Sequence, residues 1–201
     1  YYVHNPESQL GKISLEEFDA RLVNAFEALE EAVARGKLRL YGTATWNAYR
    51  NPPEAKDYLS LAHVVSLAEK AGGKDHHFRI VQLPLNLGMT EALSNANQQV
   101  DGKSVTLLEA AQHLGVTVMC SASVLQGQLT RNLPDLIRDT FEGLETDGQR
   151  ALQFVRSTPG VGTALVGMAR ASHVDENARV RAVAPLPWPE FRRLFQGEES
   201  A

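Results

Sequence analysis

The residues best suited to chemistry lie between Thr163 and Asn177. The pattern there predicts a short buried strand over Thr163–Val166, a glycine turn at Gly167 and a helix opening near Ser172. A strand that ends in a small residue and feeds a helix start exposes backbone N–H groups at the positive end of the helix dipole, which favours an anion. Arg170 adds a guanidinium able to grip a phosphate through parallel hydrogen bonds. One turn into the helix, Glu176 and Asn177 could hydrogen-bond the edge of a base. The same letters fit an ordinary strand–turn–helix with solvated polar residues, and spacing alone leans to that plainer option.

A second set of polar side chains stands just past the ends of predicted strands: His4, Thr45, Gln82, Asn86 and Ser121. Metal chemistry is disfavoured, because His63, His76 and His77 fall within or beside one helix and His113 in another. Cys120 is the only cysteine, so no internal disulfide can form and an intracellular, cytoplasmic address is expected. The formal net charge of −4 and the lack of a basic run interleaved with aromatics argue against a nucleic-acid partner. No apolar run reaches the length of a membrane span.

The elements that must position these groups follow from periodicity. Tyr1–Val3 reads as a buried strand, broken at His4-Asn5-Pro6. Ser14-Leu-Glu-Glu17 is a capping-box pattern, and Leu15, Phe18, Leu22, Phe26, Leu29 and Val33 mark one helix face ending at Gly36. Lys37–Tyr41 is a second strand, followed by a polar loop from Thr43 to Asn47; a helix starts at Pro52-Pro53 and ends at Gly72-Gly73. Arg79–Asn86 is a strand cut short by Pro84, and Leu87–Gly102 reads as loop. Thr106-Leu-Leu-Glu109 opens a helix ending near Gly115, and Val116–Cys120 is a strand. After a long connection from Ser121 to Gly148, helices are expected over Gln149–Arg156, over Ser172–Ala182, and in a short terminal piece carrying Phe191, Leu194 and Phe195. Fraying is expected from Gly197 onward. A helix follows each strand, which argues for one α/β domain over residues 1–201 with a parallel sheet. Polar groups past strand ends, and a phosphate trap in the last strand–helix unit, favour a (β/α)8 TIM barrel over a doubly wound sheet.

With these residues in hand, the chain resembles the later part of an aldo-keto reductase, from that family's fourth barrel strand to its end. The resemblance is carried by Tyr-Tyr-Val-His4-Asn-Pro, Leu-Tyr-Gly42-Thr-Ala-Thr-Trp-Asn47 and Val-Gln82-Leu-Pro-Leu-Asn86. It continues through Ser121-Ala-Ser-Val-Leu-Gln-Gly127-Gln-Leu129, Pro159-Gly-Val-Gly-Thr-Ala-Leu-Val-Gly-Met168 and Glu176-Asn177. It implies reduction of a small-molecule aldehyde or ketone to an alcohol with NADPH. His4 matches the histidine that orients the carbonyl oxygen, and Trp46 an aromatic of the substrate pocket. Gln82 matches the glutamine that bonds the nicotinamide amide; the family usually has Ser-Asn where Ala44-Thr45 stand, so only Thr45 keeps a hydroxyl there. Ser121, Leu125 and Gly127 match the loop over the pyrophosphate. Gly167 and Met168 stand where many members carry Lys-Ser. Arg170 matches a cation against the 2′-phosphate, and Glu176 and Asn177 the adenine-binding pair. His173 replaces a frequent Arg or Gln.

The family's catalytic tyrosine, lysine and aspartate lie before its fourth strand, so Tyr2, Tyr41, Tyr49 and Tyr58 are expected in core and rim roles. The start on an apolar run, Tyr1-Tyr-Val, suggests a fragment expected to be inactive alone. Two further readings stay open: a non-catalytic NADPH-binding subunit serving as a redox sensor, and a half-barrel that pairs with a second copy to close its open edges.

Overall fold

Strands alternate with helices through most of the chain, and a computed structural model describes Tyr1–Gln196. The fraying expected from Gly197 lies outside the described residues. The chain packs as two units: Tyr1–Pro84 with Glu91–Met119, and Leu85–Thr90 with Cys120 onward.

In the first unit, β1 (Tyr2–His4) leads to helix α1 (Leu15–Ala34), β2 (Tyr41–Ala44), α2 (Leu61–Gly72) and β3 (Phe78–Pro84). Then come α3 (Glu91–Ser94), a hairpin of β4 (Gln98–Val100) and β5 (Lys103–Val105), α4 (Leu107–His113) and the start of β6 (Thr117–Ser121). The main sheet is ordered β1-β2-β3-β6 here, with β1-β2 and β2-β3 parallel. Ser14 caps α1 by accepting from the Glu17 amide at 3.1 Å, while Glu17 turns its carboxylate to Arg21 and leaves the capping box half made. Phe18, Leu22 and Phe26 face the core; Leu15, expected on that face, is exposed. Phe26, Tyr41 and Phe78 meet at centroid distances of 5.2 to 5.9 Å, joining α1 to β2 and β3.

Several elements differ from expectation. Strand β1 is only half-buried rather than core. The second strand begins at Tyr41, where the expectation ended it, and runs through the presumed loop residues Thr43 and Ala44. The cause is Gly42. A Cβ there would sit 1.7 Å from the Ile80 carbonyl oxygen, so only glycine lets β2 and β3 approach, and their register shifts at that point. Helix α2 starts at Leu61 rather than near Pro52, because Ser60 supplies the cap and residues 47–58 close a series of turns. The stretch from Leu87 to Gly102, read as loop, holds α3 and half of the hairpin, whose turn has Asp101 and Gly102 at φ of 50° and 73°.

In the second unit, the end of β6 is followed by a kinked 3-10 segment (Leu125–Thr130), α5 (Asp135–Thr140), α6 (Asp147–Ser157), β7 (Val161–Ala164), α7 (Ala171–Ala178) and α8 (Trp188–Phe191). β7 lies beside β6, and the Leu165 amide donates to the Cys120 carbonyl at 2.8 Å. The last strand therefore ends at Ala164 and is not the buried strand expected over Thr163–Val166: Gly162 and Thr163 are exposed. Phe154 of α6 packs on Phe191 of α8 at 5.2 Å, and with Val155, Leu152 and Val180 forms this unit's core. Among the described residues no helix is long and apolar enough to cross a membrane.

Candidate functional site

The parallel register of the first unit brings three predicted residues or their neighbours side by side. His4 pairs with Ala44, and Ala44 with Gln82, so the ends of β1, β2 and β3 form one rim. The Asn5 amide donates to the Ala44 carbonyl at 2.7 Å and the Thr45 amide to the Gln82 carbonyl at 2.8 Å, fixing the loops that leave it. The His4 side chain is exposed. The amide of Gln82 and the buried hydroxyl of Thr45 have no partner among the described residues. Trp46 is 44% exposed, and its backbone is clamped: its N–H donates to Glu7 and its carbonyl accepts from Arg50. Glu7 was not read from sequence. It is buried, one carboxylate oxygen lacks a partner, and burial pushes its carboxyl up, opposed by the Trp46 hydrogen bond and the nearby His4.

Four of the five tyrosines are engaged elsewhere, while the side chain of Tyr1 is exposed. Tyr2 donates to the Met119 sulfur, Tyr41 to Glu30 and Tyr58 to the Asn97 carbonyl, while Tyr49 pairs with Thr43. Burial raises Tyr41 and Tyr49 far above the ordinary phenol range. Cys120 of the second unit is buried, which pushes its thiol up to about 12 and removes it as a nucleophile. Among the described residues no group of three or more His, Cys, Asp or Glu side chains could hold a metal.

The second unit holds a cleft of about 930 Å³. One wall is the stretch from Leu165 to Ala169, which takes the place of the expected glycine turn. The amides of Val166 to Arg170 find no acceptor among the described residues, so they remain available to an anion. Facing them is the loop from Ala122 to Gly127. Ala122, Leu125 and Gln126 have φ between 46° and 54°, a left-handed conformation costing about 1–3 kcal/mol for each such residue. Two short turns, Leu125 N–H to the Ala122 carbonyl and Gly127 N–H to the Val124 carbonyl, hold it.

Of the residues expected to bind a cofactor, Gly127, Gly167, Met168, Glu176 and Asn177 line this cleft. Ser121, Leu125 and Arg170 do not, although each adjoins a lining residue in sequence. Leu125 instead lies near Gly88, and Arg170 is the exposed cap position of α7 with no ion pair among the described residues. Asn86, one of the polar residues past a strand end, is used locally: its side chain donates to the Ala122 carbonyl and accepts from the Gly88 amide.

Thr146 is a lining residue that sequence reading missed. It caps α6 in a full capping box with Gln149, and its hydroxyl donates to Glu176 at 2.6 Å. The signal was legible as Thr146-Asp-Gly-Gln149. Gln149 in turn donates to the Glu176 carbonyl at 2.8 Å. Glu176 is thus held in place with one carboxylate oxygen to spare, and the Asn177 amide has no partner among the described residues.

No protein-family model and no curated protein matches the chain. Solved structures do. An aldo-keto reductase from Klebsiella pneumoniae in complex with NADPH aligns with a TM-score of 0.60 at 23% identity, over 89% of this chain and 56% of that one. A thermostable aldo-keto reductase in complex with the inhibitor epalrestat gives 0.59 at 17%, over 87% and 54%. The holo form of an aldo-keto reductase from Bacillus halodurans gives 0.56 at 18%, over 85% and 54%. The chain has the fold of part of an aldo-keto reductase. It spans little more than half the length of each of these structures. At such identities the likeness carries the aldo-keto reductase fold, and the chemistry has to be argued from side chains.

Proposed function

We propose that the cleft of the second unit holds the adenosine–phosphate end of NADPH, within an intact oxidoreductase that reduces aldehydes or ketones to alcohols. The observation that carries this reading is the run of unpartnered amides from Val166 to Arg170 along a cleft that also presents Glu176 and Asn177. Oriented N–H groups suit phosphate oxygens, and a carboxylate beside a carboxamide suits the donors and acceptors of a purine edge. The strained loop from Ala122 to Gly127 would cover the pyrophosphate, with Ser121 and Leu125 supporting it from outside the cleft. Arg170, exposed and without an ion pair, would meet the 2′-phosphate, with Gly167 and Met168 giving backbone contacts alone. NADPH-bound and NADP-bound relatives of this fold agree with the choice of cofactor.

The rim of the first unit has its own share. Gln82, whose amide is unpartnered, and Thr45, whose buried hydroxyl lacks a partner, would hold a carboxamide. His4 would orient the carbonyl oxygen of the substrate beside the ring of Trp46. When bound, NADPH supplies the hydride for carbonyl reduction. The protein's part is to bind, to orient and to provide hydrogen bonds as charge grows on oxygen.

The engaged tyrosines favour a second statement about these residues taken alone: they bind the dinucleotide without turning over a carbonyl. Tyr2, Tyr41, Tyr49 and Tyr58 each spend their hydroxyl inside the first unit, leaving none of them as a proton donor. Calorimetry with NADPH, run beside an aldehyde turnover assay, tests both statements. Saturable binding without turnover is expected. A folded chain that takes up no NADPH overturns the cofactor reading, and turnover overturns the second statement.

A further inference from the structure

His173 lies in the first turn of α7 and lines the cleft. Among the lining residues, His173 and Glu176 are the ones that can carry charge; the rest are apolar, amide, hydroxyl or glycine positions such as Gln126, Thr130 and Gly148. Of these two, His173 is the one that can bring positive charge to the wall. The other charged groups around it are accounted for. On its own element Arg170 and Asp175 are exposed, and Glu176 accepts from Thr146. On α6, which packs against α7, Asp147 is tied to Arg138 and Arg150, and Arg156 donates to the Val180 carbonyl. In the 3-10 turn that follows α7, Arg179 pairs with Glu145, and Arg181 is exposed. None of these except Glu176 lines the cleft.

We propose that His173 makes phosphate binding in this cleft proton-linked, so that a phosphorylated dinucleotide is held more tightly at pH 6 than at pH 8. The inference rests on the cofactor reading above and deepens it. A phosphate brought beside an imidazole favours the charged form of the ring, so binding takes up a proton. A Lys or Arg at this position would give a grip independent of pH in the same range; histidine confers the dependence.

The test is calorimetry of NADPH and of NADH at pH 6 and pH 8, in buffers of different ionisation enthalpy so that proton uptake is read directly. The native chain is expected to bind NADPH severalfold more tightly at pH 6 than at pH 8 and to take up a fraction of a proton. His173→Gln should bind weakly at both pH values, and His173→Arg tightly at both, with proton uptake reduced in each. A pH slope shared by NADPH and NADH assigns the partner as the pyrophosphate, and one confined to NADPH assigns it as the 2′-phosphate. Either supports the proposal, provided the slope disappears in both variants. If the native slope persists unchanged in His173→Gln and His173→Arg, the linkage belongs to another group and the proposal is overturned while the cofactor reading stands. If no chain binds at any pH, the cofactor reading itself has failed.

Discussion

Thr146 donates its hydroxyl proton to Glu176 at 2.6 Å while accepting the Gln149 amide at 3.2 Å. One side chain thus starts α6 and anchors the carboxylate that faces the cleft from α7. Helix capping and site geometry are the same interaction here. Thr146→Val removes both functions and should cost about 1 kcal/mol of stability. It should also weaken NADPH binding, whereas Thr146→Ser should preserve both properties. Urea unfolding beside calorimetry checks the pair; a Val variant that loses stability but binds normally would detach Glu176 from the ligand.

Arg170 should act on one phosphate rather than on the cleft as a whole. It stands outside the lining, exposed at the start of α7 and without an ion pair among the described residues. Arg170→Ala is expected to weaken NADPH binding by about tenfold, the scale of a solvent-facing charge-assisted contact, and to leave NADH nearly unchanged. Equal losses for the two would mean that Arg170 does not read the 2′-phosphate.

Gly42 is the residue on which the first unit's sheet depends. An added methyl would overlap the Ile80 carbonyl, backbone that cannot swing aside. Gly42→Ala should destabilise the protein by about 3 kcal/mol or more, at the upper end for overpacking. Thermal or urea unfolding measures this, and a change under about 1 kcal/mol would show that β2 and β3 can separate without loss.

Glu30 should make the first unit acid-labile. Burial alone would raise its carboxyl, but hydrogen bonds from the His77 amide, the His77 ring and the Tyr41 hydroxyl outweigh that and leave it lowered from 4.5. A carboxyl lowered in the folded state contributes stability that is full above its unfolded value and fades as pH falls through the folded one. Stability should therefore drop as pH is taken from about 5 towards 3, and Glu30→Gln should flatten that part of the profile. An unchanged profile in the variant would assign the acid lability to other carboxylates, with Asp147, lowered by the Leu133 amide and by Arg138, the next to examine.

The alternation of strands and helices and the N-caps of α1 and α4 were legible from sequence, because Ser14 and Thr106 act locally, whereas the caps at Ser60 and Thr146 were not read from it. The positions of strands were less legible. Lys37–Tyr41 has the apolar pattern of a strand, yet the ladder begins at Tyr41 because Gly42 alone permits the close approach to Ile80, a tertiary fact. The hairpin turn at Asp101-Gly102 carried a readable signal that the mixed residues around it obscured. At the candidate site, Gly127, Gly167, Met168, Glu176 and Asn177 line one cleft. Thr146 came to the cleft from another helix start, and Ser121, Leu125 and Arg170 stand just outside, since which neighbour points inward depends on backbone angles such as the left-handed run from Ala122 to Gly127.

The central claim is that the amides between Val166 and Arg170 receive the phosphates of the dinucleotide. Backbone NMR of the isotopically labelled chain, titrated with NADPH, tests it most directly. The account predicts saturable shifts at Gly167, Met168, Ala169 and Arg170, accompanied by the Asn177 side-chain amide. Saturable shifts confined to other parts of the chain, or none at all in a folded sample, would contradict it.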